Sequence, residues 1–271
     1  MRDLLNALIL GLVEGVTEFI PISSTGHLIL TTDLLGLDPS EPRMVVFNIV
    51  IQLAAILAVV WAFRAKILDI TRRLPTDPSA RRFALAVVVG CVPAAVLGFL
   101  LDDFIEAHLF NPLTVAGALV TGGMLILIVE WYAERRRVTV ERADDIALPE
   151  AWKVGLAQCL ALFPGMSRSA STIMGGLAFG LSRVAATEFS FFLAIPIMVG
   201  ASGLKLVKSA GELSAADAPF FLVGCVAAFV AALASIHFLL RFVATNTFRP
   251  FAWYRIAVGV FALAYYLYLA G

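Results

Sequence analysis

The chain consists mainly of long apolar runs separated by short polar segments. A helix that crosses a bilayer needs about 20 mostly apolar residues, and six stretches meet this requirement. The stretches are 44–63, 83–101, 113–131, 186–206, 219–240 and 253–269. The pattern therefore predicts an all-α polytopic membrane protein with six transmembrane helices.

Two further apolar regions, 2–33 and 152–182, are interrupted near the middle by Pro, Gly and Ser residues. Each half is about a dozen residues long, which is too short to cross a bilayer. Irregular backbone at membrane depth is tolerated only where it is buried in protein or lines a wet cavity. We therefore expect each region to form a re-entrant helical hairpin.

The charged loops predict the orientation of the chain in the membrane. Residues 64–82 contain six Lys and Arg residues, which indicates a cytoplasmic loop. The next loop, 102–106, has acidic but no basic residues and is expected outside. Both termini then lie outside, and the two hairpins enter the membrane from opposite faces.

Opposed hairpins, each followed by three spans, predict a single membrane domain of residues 1–271 with an inverted-topology repeat. In support, the Gly-Leu pair at 11–12 recurs at 155–156, with Glu14 and Gln158 in matching positions. Inverted repeats place the functional site near the midplane, where the broken helices meet. The predicted parts are repeat 1 (roughly 1–133), a polar linker (roughly 134–150) and repeat 2 (roughly 151–271).

Composition narrows the possible classes of protein. The chain has 271 residues, of which 61% are hydrophobic and 15% charged, and this excludes a soluble domain. Twenty basic and twenty acidic residues cancel, so no basic footprint predicts a nucleic-acid partner. The three cysteines lie inside apolar runs and are expected to be small core residues.

The most informative stretch of this apolar chain is Glu-Gly-Val-Thr-Glu-Phe-Ile-Pro-Ile-Ser-Ser-Thr-Gly-His at 14–27, a polar island inside the first interrupted apolar region. Ionisable groups at membrane depth are expensive and therefore point to function. Glu14 and Glu18 are four residues apart, so on a helix they share one face. Two close carboxylates in a low dielectric do not readily both ionise without a cation. The pair therefore predicts either a shared proton or a divalent cation with oxygen ligands.

Hydroxyl and imidazole groups follow the two glutamates. Ser23, Ser24 and Thr25 come after Pro21, at a helix break whose free backbone N–H groups can bind an anion. One of these hydroxyl residues is also expected to cap the following helix. With His27, they complete a set of groups that suits nucleophilic or general acid–base chemistry.

A second polar island, Pro-Gly-Met-Ser-Arg-Ser at 164–169, lies about half the chain away. Its Arg168 is always charged and offers a planar fork that fits phosphate oxygens. A charged side chain at this depth needs a partner, either one of the glutamates or an anionic ligand. The two islands are therefore expected to converge on one anion.

Together, the motifs at 14–27 and 164–169 resemble those of the undecaprenyl-diphosphate phosphatases, the bacitracin-resistance family of bacterial inner-membrane proteins. The resemblance covers essentially the whole chain in length, order of motifs and pattern of spans. It implies hydrolysis of undecaprenyl diphosphate to undecaprenyl phosphate and inorganic phosphate, which recycles the lipid carrier for cell-envelope synthesis. It also implies a homodimer among membrane lipids, an active site facing the periplasm, and a divalent cation, Mg²⁺ or Ca²⁺, as activator.

By motif position, the resemblance assigns catalytic and phosphate-binding residues, and the pair of carboxylates adds candidate ligands of the cation. The expected catalytic residues are Glu14, Glu18, Ser24, His27 and Arg168. The residues expected to bind the substrate phosphates are Ser23, Thr25, Ser167, Arg168 and Ser169. The expected ligands of the cation are Glu14 and Glu18.

The nucleophile stays open at the level of sequence. The first hypothesis is attack by Ser24, activated by His27, with Glu18 orienting the imidazole or serving as base. The other hypotheses are direct attack by His27 and attack by a water that the glutamates activate.

Other functional classes also stay open. An inverted-repeat transporter or polyprenyl-phosphate flippase is the main alternative function, and a membrane subunit without chemistry is a weaker alternative. The type 2 phosphatidic acid phosphatases are rejected, because 169–176 lacks the histidine and aspartate that they need after Ser-Arg.

Overall fold

The structure, a computed structural model of the chain, describes residues 1–208 and 217–270. Residues 209–216 and 271, which belong to the predicted second repeat, lie outside the described residues. The described residues form eleven α-helices and no β-sheet. They are α1 (Arg2–Thr17), α2 (Ser24–Leu34), α3 (Pro42–Ala62), α4 (Arg64–Arg73), α5 (Pro78–His108), α6 (Pro112–Ala133), α7 (Leu148–Gln158), α8 (Arg168–Ala178), α9 (Arg183–Lys208), α10 (Ala218–Val243) and α11 (Arg249–Ala270).

Each of the six predicted transmembrane stretches lies within a helix to within one residue, which confirms an all-α protein with six candidate spans among the described residues. In the described part of the chain, six helices are long and apolar enough to cross a bilayer: α3, α5, α6, α9, α10 and α11. Proline occupies the first turn of α3, α5 and α6, where its missing N–H costs no helical hydrogen bond. The longest span, α5, extends beyond the predicted 83–101 at both ends.

Both interrupted regions are pairs of short helices, as their length predicts. The first region is α1 and α2, separated by residues 18–23. The second is α7 and α8, joined by a 3₁₀ turn at Cys159–Leu162 and a loop at 163–167. Proline stands in both interruptions, at Pro21 and Pro164, and it cannot donate a backbone hydrogen bond to a continuous helix.

The basic segment after α3 contains a helix, α4, that the sequence pattern does not predict. Its Ile67 and Ile70 pack against the hydrophobic core, which stabilises a helix that is half charged residues. Asp77 then caps α5 by accepting a hydrogen bond from the Ser79 N–H at 2.7 Å. Hydrogen bonds from Arg73 and from Ser79 lower the pKa of the Asp77 carboxyl to about 2.

The first helix of each broken pair packs against a span from the other half of the chain. Helix α1 lies along α10, and α7 lies along α5. A Cβ added to Gly11 would overlap the Gly224 carbonyl of α10, and one added to Gly155 would overlap the Gly90 carbonyl of α5. Only glycine permits so close an approach of two helix backbones. Because Gly11 and Gly155 hold matching sequence positions, the two halves use the same packing contact.

Candidate active site

The first polar loop turns sharply at Ser23. This residue has φ 74° and ψ 97°, a backbone conformation that non-glycine residues rarely adopt. The turn places Ser23 at the N-cap of α2, where its Oγ accepts a 3.4 Å hydrogen bond from the Gly26 N–H. Ser24, Thr25 and His27 therefore occupy the first turn of α2, and the N-terminus of that helix favours negative charge.

The second polar loop turns in the same way at Ser167. Its φ is 72° and its ψ is 120°, and its Oγ accepts a 3.2 Å hydrogen bond from the Ala170 N–H at the start of α8. Among the described residues, Ser23 and Ser167 are the two non-glycine positions with positive φ. Strain of this kind persists where the surrounding structure enforces it, and it is common at functional sites.

The two loops meet, although they are far apart in sequence. Arg168 Nη2 donates a 3.0 Å hydrogen bond to Glu18 Oε1 across 150 residues of sequence. Beside this ion pair, Ser169 Oγ donates to the Ile20 carbonyl at 3.3 Å. The Ser167 and Ser169 hydroxyls lie 3.0 Å apart. The predicted convergence of the acidic and basic islands is therefore present in the structure.

Glu18 is the centre of this cluster. Its Oε2 accepts a 2.5 Å hydrogen bond from Ser24 Oγ, while its Oε1 accepts from Arg168. Glu18 and Ser24 are both buried, so water competes little with either bond. One carboxylate thus joins a candidate nucleophile to a candidate phosphate-binding arginine.

Arg168 is held by both polar and aromatic contacts. Its Nη1 donates to the Ser190 carbonyl of α9 at 3.2 Å, and its guanidinium carbon lies 5.6 Å from the centre of the Phe19 ring. Its Nε is buried without a hydrogen-bond partner among the described residues. Such a donor carries a desolvation cost unless a ligand satisfies it, and a phosphate oxygen is a suitable acceptor.

Glu14 lies one helical turn before Glu18 and is also buried. Its Oε1 has no hydrogen-bond partner in the described part of the chain. The structure thus places both predicted acidic residues in the site. The Glu18 carboxylate is bonded to Ser24 and Arg168, whereas the Glu14 carboxylate has one oxygen without a hydrogen bond among the described residues. A free carboxylate oxygen beside a second carboxylate suits a hard divalent cation that also binds substrate phosphate.

His27 lies in the same turn of α2 but does not contact Ser24 or Glu18 through a hydrogen bond. Its Nδ1 lies 2.7 Å from the Ser23 carbonyl, and its Nε2 lies 2.8 Å from the Tyr254 hydroxyl of α11. The two rings are parallel within 3°, with centroids 5.5 Å apart. If Nδ1 carries the proton, Nε2 accepts the bond from Tyr254. The basic nitrogen of His27 is thus occupied by tyrosine rather than by serine.

Two residues of the site region, Tyr254 and its neighbour Arg255, lie outside both sequence motifs. Arg255 is fully buried and lies inside a predicted transmembrane stretch. A charged residue in such a stretch is a functional signal, and this signal was present at 253–269. No comparable sequence signal distinguishes Tyr254 from other tyrosines of the last span.

Comparison with known proteins connects this geometry to a family. The model of the family described as "Bacitracin resistance protein BacA" matches residues 7–261. A protein of Ralstonia pickettii named undecaprenyl-diphosphatase is 51% identical over 278 residues, covering 96% of this chain and 94% of its own. A protein of the same name from Pseudomonas fluorescens is 55% identical over 261 residues, covering 96% and 92%. The chain therefore belongs to the BacA bacitracin-resistance family.

Proposed function

We propose that this protein is a membrane phosphatase that hydrolyses undecaprenyl diphosphate to undecaprenyl phosphate and inorganic phosphate. The observation that carries the proposal is the Ser24–Glu18–Arg168 chain, which joins a hydroxyl, a base and a phosphate-binding cation in a buried site. The names and whole-chain similarity of the relatives support the same activity. Recycling of the lipid carrier, and with it resistance to bacitracin, follows from this reaction.

The hydrogen bonds favour Ser24 as nucleophile and Glu18 as its base. Glu18 accepts the proton of Ser24 while Oγ attacks the terminal phosphorus of the diphosphate. The bond from that phosphorus to the bridging oxygen breaks, and undecaprenyl phosphate leaves. Water then attacks the phosphorus of the phosphoserine, the bond from phosphorus to Ser24 Oγ breaks, and inorganic phosphate leaves. The proton held by Glu18 returns to Ser24 Oγ, which restores the hydroxyl and the carboxylate. Of the sequence alternatives, attack by His27 is disfavoured because its Nε2 is engaged by Tyr254.

Arg168 and the first turns of α2 and α8 would bind the phosphates. Phosphoryl transfer depends on positioning and on neutralising charge on the phosphate oxygens. The Arg168 guanidinium, with its partnerless Nε, provides a fixed positive charge and a free donor. The half-buried Thr25 and Ser167, together with Ser23 and Ser169, provide hydroxyl groups around that charge.

A divalent cation fits the acidic pair. Glu14 and Glu18 would hold Mg²⁺ or Ca²⁺, and the cation would neutralise charge on the diphosphate. Mg²⁺ is commonly bound by one or two carboxylates together with substrate phosphates. No three metal-ligating side chains cluster among the described residues, so substrate oxygens would have to complete the coordination.

The membrane arrangement that we propose has two re-entrant hairpins, α1–α2 and α7–α8, related by an inverted repeat. The matching turns at Ser23 and Ser167, and the matching contacts of Gly11 and Gly155, support this relationship. Residues 64–82 would lie in the cytoplasm, and the family resemblance implies an active site that faces the periplasm of the bacterial inner membrane. The homodimer stays a prediction from the family resemblance, and chemical cross-linking in native membranes would test it.

Activity of the purified protein tests the function directly. Release of phosphate from undecaprenyl diphosphate in detergent should be robust and should fall at least about 100-fold in Glu18→Gln and Arg168→Ala. Ser40→Ala, in an exposed loop, is the matched control and should retain full activity. Absence of hydrolysis in a folded protein that moves polyprenyl phosphate across vesicles would instead support the flippase alternative.

A further inference from the structure

Arg255 is a buried cation that the proposed chemistry does not use. It lies in α11, one residue after Tyr254, and its side chain has no exposed surface. It forms no ion pair within the described part of the chain. A buried charge of this kind is costly unless hydrogen bonds replace the water that it loses.

All five N–H donors of the Arg255 guanidinium are satisfied by backbone carbonyl oxygens. A guanidinium has five donors in a fixed planar fork, so no donor of Arg255 is left for another ligand. The acceptors are the carbonyls of Leu119 at 3.3 Å, Pro21 at 3.4 Å, Met166 at 3.0 Å, Ala118 at 3.1 Å and Gly165 at 3.0 Å.

These five carbonyls belong to three separate segments. Two are on α6, one is in the first polar loop, and two are in the second polar loop. Pro21 is three residues from both Glu18 and Ser24, and Met166 is two residues from Arg168. Arg255 is therefore bonded to the backbone of both loops that carry the proposed chemistry, and it anchors both loops to one transmembrane helix.

Helix α6 leaves room for the Arg255 guanidinium because residue 122 is a glycine and has no side chain. A Cβ added to Gly122 would overlap Nη2 and the central carbon of Arg255. Any side chain at Gly122 would thus displace Arg255 from its carbonyl partners. By contrast, a Cβ added to Gly117 on the same helix meets nothing within 4 Å.

We propose that Arg255 is a positioning residue that fixes the two polar loops relative to each other. It acts through the loop backbones and does not touch the substrate, because its donors are already used. This inference rests on the active site proposed above. A displacement of about 1 Å between reacting groups can reduce a rate about 100-fold. The hydrogen bonds by which Arg255 holds the two loops, here called the Arg255 clamp, therefore affect turnover directly.

The test uses Arg255→Lys, which keeps the charge but loses the fork, and Gly122→Ala, which keeps the arginine but displaces it. Gly117→Ala is the matched control. We expect kcat to fall about 10- to 100-fold in the first two variants while KM changes less than about threefold. Hydrogen exchange should increase in 18–27 and 163–170 but not in α3 or α10. The control should match the wild type in all three measurements.

Three results would overturn the proposal. Unchanged kcat in folded Arg255→Lys and Gly122→Ala proteins would show that the clamp has no catalytic effect. Faster exchange throughout the protein would show a general stability role. A raised KM with unchanged exchange in both loops would show direct binding of substrate by Arg255. Because hydrogen exchange is independent of turnover, the clamp can fail while the proposed phosphatase activity stands, or the reverse.

Discussion

Ser24 Oγ lies 2.5 Å from Glu18 Oε2, in a site where both residues are buried. The other oxygen of the same carboxylate is paired with Arg168 at 3.0 Å. Glu18 therefore has two roles that can be separated by experiment. One is to accept a proton from the serine, and the other is to balance the charge of a buried arginine.

Glu18→Gln should lose both activity and stability. Removing one partner of a buried ion pair leaves the other charge uncompensated and costs about 3–5 kcal/mol. Adding Arg168→Gln to this variant removes the orphaned charge, so thermal stability should recover while activity stays absent. Thermal unfolding and phosphate release from the two variants check this prediction. Recovery of activity together with stability would show that Glu18 has no catalytic role.

Substitutions of Tyr254 and His27 should have non-additive effects on activity. Tyr254→Phe keeps the ring but removes the hydroxyl that meets His27 Nε2. His27→Asn removes the imidazole itself. Because the two changes break the same contact, their effects should not add, and the double variant should be no less active than His27→Asn. A double-mutant cycle on kcat/KM measures this coupling, and additive losses would contradict it.

Glu14 should control the response to a divalent cation. Its Oε1 has no hydrogen-bond partner among the described residues, whereas both oxygens of Glu18 are engaged by Ser24 and Arg168. After treatment with a chelator, activity should fall and return on addition of Mg²⁺ or Ca²⁺. In Glu14→Gln, recovery should need at least about tenfold more cation, a loss within the range expected for altered metal sites. Identical titration curves for the variant and the wild type would exclude Glu14 as a ligand.

The glycine contacts between helices predict a stability effect without a change in chemistry. Gly11→Ala places a methyl group against the Gly224 carbonyl of α10, and overpacking of this kind typically costs about 1–3 kcal/mol. Gly200→Ala, which meets nothing within 4 Å, is the control. Thermal unfolding should show a lower midpoint for Gly11→Ala alone. Equal midpoints would mean that α1 and α10 are less tightly packed than the structure indicates.

Hydrophobic pattern and motif spacing together predict most of the fold. The six spans follow from uninterrupted apolar length, and the two broken regions follow from Pro21 and Pro164 inside apolar runs. A partner for Arg168, either a glutamate or an anionic ligand, is also predictable, because each buried charge needs a partner; that the partner is Glu18 is known only from the structure. These features are set by the cost of placing polar groups in a bilayer, and that cost can be read from residue type.

The details of the site depend on contacts that sequence spacing does not fix. His27 lies three residues after Ser24, which is compatible with a serine–histidine pair, but the turn at Ser23 directs the imidazole toward Tyr254 instead. The Tyr254 and Arg255 contacts join α11 to loops more than 85 residues away in sequence. Such contacts arise from tertiary packing, and neither periodicity nor local motif encodes them.

Trapping the covalent intermediate tests the central claim most directly. The protein is mixed with undecaprenyl diphosphate, quenched within one turnover in parallel acid and alkali, and mapped by peptide mass spectrometry. Acid preserves phosphoserine, and alkali preserves phosphohistidine. We expect phosphate on the peptide that contains Ser24, and its loss in Ser24→Ala. Phosphate on His27, or full turnover by Ser24→Ala, would contradict attack by the Ser24 hydroxyl.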